Sequence, residues 1–152
     1  MARDFMSYWR PDTLDDEIEA GGLLQHAASN QYGRVEVGDT VWLVTTRSGQ
    51  LRLIGRIVVG QITDQDGAAR ALGSTKLWQA DYHILAADGT AREVADLDTQ
   101  RLAPQLRFRS ANGSDRLTID AAGLVSAQQL QTMRLLAPNS AELLSGVLEH
   151  CD

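Results

Sequence analysis

Eight aromatic residues, three of them tryptophan, stand in a 152-residue chain whose other apolar positions are mostly Leu, Val and Ala. Trp9 and Tyr32 border polar stretches, Trp42 sits within an apolar run, and Trp78 shortly precedes Asp81 and His83. If residues 77–86 form one strand, period-two alternation places Asp81 and His83 on a common face, close to an indole. Stacking planes beside a carboxylate and an imidazole are the equipment that holds an unpaired or flipped base, with the planes gripping its faces and the polar groups reading its edge. The competing role for each tryptophan is core packing, and for His83 that of a hydrogen-bonded structural histidine.

The second chemical signal is arginine. The chain is acidic, with net charge −6, which weighs against a phosphate-bearing partner because such binding draws on Lys and Arg. The charges are unevenly spread. Residues 1–39 carry three Arg against eight acids, 64–100 three bases against seven acids, and 135–152 three acids and no base. Residues 40–63 hold Arg47, Arg52 and Arg56 with no acid, while 101–134 hold Arg101, Arg107, Arg109, Arg116 and Arg134 against Asp115 and Asp120. If these two stretches share a face, an acidic chain still presents one basic surface to a polyanion. Thirteen of the fourteen basic residues are Arg, whose planar fork suits phosphate better than Lys does.

Other chemistries find little support. His26, His83 and His150 lie far apart without metal-ligand spacing, and the single Cys151 excludes a disulfide framework or a multi-cysteine zinc site within one chain. No nucleophile elbow, phosphate-binding loop or dinucleotide fingerprint is present, and Lys76 is the only lysine. No catalytic set, cofactor or metal is therefore expected. No apolar run approaches the roughly 18 residues of a spanning helix, and the first dozen residues lack a signal-like apolar region, so a cytoplasmic protein without membrane contact is expected.

At 43% hydrophobic and 22% charged, one domain spanning residues 1–152 is expected, with a core over about 6–120. A brief strand around Met6–Trp9 stops at Pro11; Thr13 then caps a short helix that Gly21-Gly22 breaks, and 23–28 forms another helical turn or two. Residues 41–45 are a buried strand, the Ser48-Gly49 turn makes a hairpin, and 51–62 is a long strand whose Gly55 and Gly60 suggest bulges that curl the sheet. Residues 68–72 are helical, 77–86 a strand, and alternation on either side of Asn112-Gly113 marks a second hairpin. Ser126 introduces a helix and Pro138 another, a helical pair over 126–149. The expected class is α+β: a small, curved, barrel-like, mainly antiparallel sheet with flanking helices.

The run Gly38-Asp39 followed by Val41-Trp42-Leu43-Val44, and then Gly55-Arg56-Ile57-Val58-Val59-Gly60-Gln61-Ile62, resembles the pattern of the PUA-like superfamily, in particular its EVE, ASCH and YTH branches and small modified-cytosine readers. The opening Tyr8-Trp9, the helix and the polar loop that follow add to the resemblance, which covers about residues 6–86. It implies that Ser29, Asn30, Gln31 and Tyr32 lie against a base, with Trp9 and Trp42 as pocket aromatics. The chain lacks the Lys/Arg-rich start of EVE proteins and the lysine of the ribonuclease-type ASCH proteins, departures that count against RNA cleavage more than against base reading.

The resulting expectation is a non-enzymatic module that prefers DNA containing 5-methylcytosine. Trp9, Ser29, Asn30, Gln31, Tyr32, Trp42, Trp78, Asp81 and His83 surround the base, with Asp81 accepting from the cytosine amine. Arg47, Arg52, Arg101, Arg107, Arg109 and Arg116 contact the DNA backbone. Methylated double-stranded DNA is the expected partner, and the oligomeric state is open. An RNA-binding domain, a nucleic-acid hydrolase of ASCH type and a protein-interaction domain are the alternatives.

Overall fold

The hairpin around Ser48-Gly49 is the centre of the architecture. Both turn residues have positive φ, 52° and 77°, the geometry that matches a two-residue turn to the twist of its strands. The computed structural model describes residues 2–74, 77–110 and 113–149. In chain order the elements are β1 (Asp4–Tyr8), α1 (Pro11–Glu19), β2 (Leu23–Leu24), β3 (His26–Ala28), β4 (Thr40–Arg47), β5 (Gln50–Thr63), α2 (Gln65–Leu72), β6 (His83–Ala86), β7 (Arg92–Glu93), β8 (Leu97–Asp98), β9 (Phe108–Ser110), β10 (Gly113–Asp115), β11 (Arg134–Leu136) and α3 (Pro138–Glu149). Single 3-10 turns lie at Asn30–Arg34, Gln100–Gln105 and Ala127–Leu130.

The fold is α+β, with a mixed, mostly antiparallel sheet. The strand order is β10-β9-β11-β1-β4-β5-β6-β3, with β8 also on β5, and β2 and β7 form a separate ribbon. β1 is parallel to β4, in register from Asp4 opposite Thr40 to Tyr8 opposite Val44, and antiparallel to β11. The first half of β5 pairs with β4 and the second half with β6.

Side chains of successive β4 residues enter opposite cores, which explains a run without polar alternation. Trp42 and Val44 join Met6, Leu51, Leu53, Leu106, Phe108 and Leu144 on one side. Val41 and Leu43 join Phe5, Leu14, Tyr32, Ile54, Ile57 and Ile84 on the other. Each such side chain gains about 1.5–3 kcal/mol on full burial, so a one-residue slip of β4 would forfeit both cores. The Gly38-Asp39 turn is fixed by charge: the buried Asp39 carboxylate accepts from the Arg3 N–H (2.8 Å), the Glu36 N–H (2.9 Å) and the Arg3 guanidinium (3.2 Å). This ties the start of β1 to the start of β4.

Both glycine irregularities of β5 are present. The β4–β5 register shifts at the Leu43/Val44 step, opposite Gly55, and the β5–β6 register shifts between Val59 and Gln61, at Gly60. The 68–72 helix extends to Gln65–Leu72, with the Asp64 side chain accepting from Gly67 N. The second hairpin pairs β9 with β10, Phe108 opposite Asp115, so its return strand lies at 113–115 and not at 116–119; Asn112 lies outside the described residues.

Other expectations are corrected. Residues 23–28 form β2 and β3 instead of helical turns, because Leu24 and Ala27 each reach the core from short strand partners. Only 83–86 of the 77–86 segment is strand, so the alternation that put Asp81 beside His83 does not operate. α1 begins at Pro11 with Arg10 at the cap position, so Thr13 is inside the helix. The C-terminal helical pair is a single helix: 127–130 is a 3-10 turn and 134–136 is β11, drawn into extended pairing by β1 and β9. Lys76, His150 and Cys151 lie outside the described residues.

Gly55 tests the bulge. Its φ is 154°, and a Cβ there would sit 2.8 Å from Leu24 Cδ2. Gly55→Ala is expected to lower stability by about 1–3 kcal/mol in urea denaturation; an unchanged midpoint would mean that the bulge is not constrained.

Candidate functional site

Because β1 and β4 are parallel, no tight turn joins them, and residues 9–39 must cross over from one strand end to the other. That crossover builds most of a cleft of about 570 Å³. Trp9, Arg10, Thr13, Asp16 and Glu17 form a wall from the end of β1 and from α1; His26 to Tyr32 form the floor; residues 77–80, with Trp78, and Gln131 complete the lining. Trp78 is 66% exposed and Trp9 is half-buried. The volume is within the range of small-molecule sites.

The floor is held by specific bonds. Ser29 Oγ accepts from Gln31 N at 3.0 Å and caps the 3-10 turn. Asn30 Oδ1 accepts from Asp81 N at 2.8 Å, leaving the Asn30 amide N–H groups free of a hydrogen bond within the described residues. Gln31 is a strap: its Nε2 donates to Gln131 O (2.9 Å) and its Oε1 accepts from Met133 N (2.6 Å), so both ends are spent. Tyr32 is 1% exposed, its hydroxyl 3.0 Å from Ser7 Oγ. Burial pushes the Tyr32 phenol up to about 12, against the smaller downward pull of Ser7. Its ring supports the floor from within the core and offers little stacking surface.

His26, passed over in the sequence, lines the cleft with a fixed partner behind it. Gln65 Oε1 accepts the backbone N–H of Ala80 at 3.1 Å, which fixes that atom as an acceptor. His83 Nε2, 2.6 Å away, must therefore donate to it. In neutral His83 this leaves Nδ1 as an acceptor, and His26 Nε2, at 2.7 Å, donates to it. The rings are stacked with centroids 5.0 Å apart. His26 Nδ1 is then left as an acceptor with no hydrogen-bond partner among the described residues. Burial, and then the proximity of His83, hold His26 down from 6.5 to about 4, so it is neutral at physiological pH. The two histidines are 57 residues apart, and only the β3–β6 pairing of Ala28 with His83 brings them together.

Several predicted site residues lie elsewhere. Trp42 is buried in the core, its Nε1 donating to Asp4 Oδ1 at 3.0 Å and Arg56 stacked at 5.6 Å. His83 is fully buried behind His26. Asp81 is exposed and faces an adjoining depression of about 380 Å³, shared with Asn30, Asp64 and Gln65. Trp9, Ser29, Asn30, Gln31, Tyr32 and Trp78 do line one cleft.

The arginines divide. Arg47 bonds Asp15 (2.6 Å) and Asp96 (2.8 Å), and Arg52 bonds the same Asp96 at 2.7 Å. Burial raises the Asp96 carboxyl, but the two guanidiniums outweigh it and hold it below the usual carboxylate range. These two are committed internally and do not add to a basic face, whereas Arg56, stacked over Trp42, has no carboxylate partner among the described residues. Arg107 donates to the carbonyls of Pro104 and Leu106. Arg101, Arg109 and Arg116 are exposed, with no carboxylate partner among the described residues. No group of three or more His, Cys, Asp or Glu suited to a metal ion occurs among the described residues, and no helix there is long and apolar enough to cross a membrane.

No protein-family model matches the chain, and no curated protein matches it. A solved structure described as a hypothetical protein from Leishmania major is similar, with TM-score 0.51 and 15% sequence identity over 100% of this chain and 98% of that one. At that identity the likeness is one of fold.

The histidine arrangement predicts a pH signature. The folded pKa of His26, about 4, is below its ordinary 6.5, so between those values the unfolded chain binds more protons and stability falls as pH drops through the window. His26→Gln keeps a donor toward His83 and cannot titrate; its melting temperature is expected to decline less than that of the wild type between pH 6.5 and 4. Parallel declines would contradict a His26 held neutral by its surroundings.

Proposed function

We propose that this chain is a non-enzymatic nucleic-acid-binding module that holds a modified cytosine, 5-methylcytosine in DNA, within the cleft. The observation that carries the reading is one cleft lined by two indoles from distant segments, Trp9 and Trp78, beside the free Asn30 amide and the Nδ1 acceptor of His26. Aromatic surface grips the base, and the exocyclic amine of cytosine meets His26 Nδ1 in place of Asp81, which lines the adjoining depression. A neutral acceptor suits that amine without attracting cations. The PUA-like resemblance belongs to the same reading: it is supported by the Gly38-Asp39 turn and by the bulges at Gly55 and Gly60, which would give the sheet a barrel-like curl even though its strand order is open. The domain is proposed to act as one unit in the cytoplasm.

Fluorescence anisotropy with duplexes carrying 5-methylcytosine or cytosine, and with RNA of equal length, tests it. A methyl group is worth about 0.8 kcal/mol, so a preference of about fourfold for methylated DNA is expected. Trp9→Ala and Trp78→Ala should each cost roughly 1–3 kcal/mol of binding and narrow that ratio. Tighter binding to RNA would move the module to the RNA-binding alternative, cleavage of the labelled strands would make it a hydrolase, and absent binding would refute the reading.

A further inference from the structure

The segment whose Gln131 lines the cleft goes on, two residues later, to line a second depression of about 200 Å³, together with Arg34, Arg109, Arg134, Phe108 and Asp115. Gln31 and Arg34 belong to one 3-10 turn and grip the same short segment leading into β11, Gln31 at Gln131 and Met133, and Arg34 at the Met133 carbonyl (3.3 Å). From Gln131 to Arg134 is at most about 10 Å of extended chain. The two depressions are thus successive stations along one seam.

The cation arrangement is built. Arg134 stacks over Phe108, 4.1 Å from the ring centroid, and is held by Asp115 at 2.9 Å. Arg34 lies over Phe5 at 5.6 Å, and its guanidinium has no carboxylate partner among the described residues. Arg109 is exposed and likewise unpaired there. Three guanidiniums therefore face one carboxylate that is itself engaged. Elsewhere the cleft is bordered by carboxylates: Asp16 and Glu17 on the α1 wall, where Arg10 is paired with Asp12, and Asp64 and Asp81 around the adjoining depression. A polyanion leaving the cleft is repelled on those sides and attracted along the seam.

We propose that the Arg34–Arg109–Arg134 groove is a phosphate site, which seats the backbone of the strand whose base enters the cleft. The source of the phosphate, though not its chemistry, rests on the base-binding reading. Guanidinium forks match phosphate oxygens in pairs, and an arginine already flattened on an aromatic ring loses little freedom on binding.

The test compares the wild type, Arg109→Gln, the double variant Arg34→Gln/Arg109→Gln, and Arg92→Gln, which removes one exposed arginine from the separate β2–β7 ribbon. Binding of a 5-methylcytosine oligonucleotide is measured across a salt series, with folding checked by circular dichroism. A second arm titrates inorganic phosphate while following the arginine Nε–H resonances. The expected result is a loss of roughly tenfold in the double variant with a shallower salt slope, a smaller loss in Arg109→Gln, an unchanged preference for the methyl group, and little effect of Arg92→Gln. If the wild type binds the oligonucleotide and the groove variants bind it equally, or Arg92→Gln weakens it as much, the groove is refuted while the base reading stands. If no oligonucleotide binds but phosphate shifts Arg34 and Arg109, the anion site stands and its nucleic-acid source is refuted. If neither ligand has an effect, both proposals fall.

Discussion

β1 runs parallel to β4, and that pairing dictates the long crossover from which the cleft is made. Antiparallel neighbours are joined by a few residues, but parallel ones need a long return, and here the return carries α1, β2, β3 and the Asn30–Arg34 turn. The pairing is secured at its start by the buried Asp39 carboxylate, which binds both the backbone and the guanidinium of Arg3. It is secured along its length by Phe5 and Met6, which enter opposite cores. With those ends fixed, Trp9 emerges beside the polar turn, and the crossover encloses space that a hairpin would have left flat.

Interior polar groups in this region are satisfied in a way that separates support from reading. Gln31, Tyr32 and His83 spend their polar atoms within the protein, and each hydrogen bond of this kind adds about 1 kcal/mol while costing more to leave half-made. Asn30 and His26 each keep one capacity unspent, the amide N–H groups of the first and Nδ1 of the second. The division makes the second pair the better candidates for ligand contact; of the two, the sequence points to Asn30 and not to His26.

What was legible in the chain was local. The Val41–Val44 run, the Ser48-Gly49 turn, the two β5 glycines and the last helix follow from periodicity, turn chemistry and capping within a few residues. The unreadable parts were decided over long distances. Arg134 to Leu136 has helical neighbours in pattern, but β1 and β9 on either side offer it two strand partners. The run around Trp42 is apolar on both faces, so nothing local tells which core its indole enters. Arg47 and Arg52 looked available because no acid lies near them in the chain, yet Asp96 reaches both across the β5–β8 pairing. The His26–His83 contact had no local signal at all.

The three tryptophans offer the most direct test, because their indole N–H resonances are separable and their surroundings differ: Trp9 and Trp78 line the cleft, while Trp42 donates to Asp4 inside the core. Two-dimensional NMR of the 15N-labelled protein, titrated with an oligonucleotide containing one 5-methylcytosine, should shift the indole signals of Trp9 and Trp78 together and leave that of Trp42 in place. Shifts confined to Trp42, or none at any of the three despite binding, would contradict the account of the cleft as the base site.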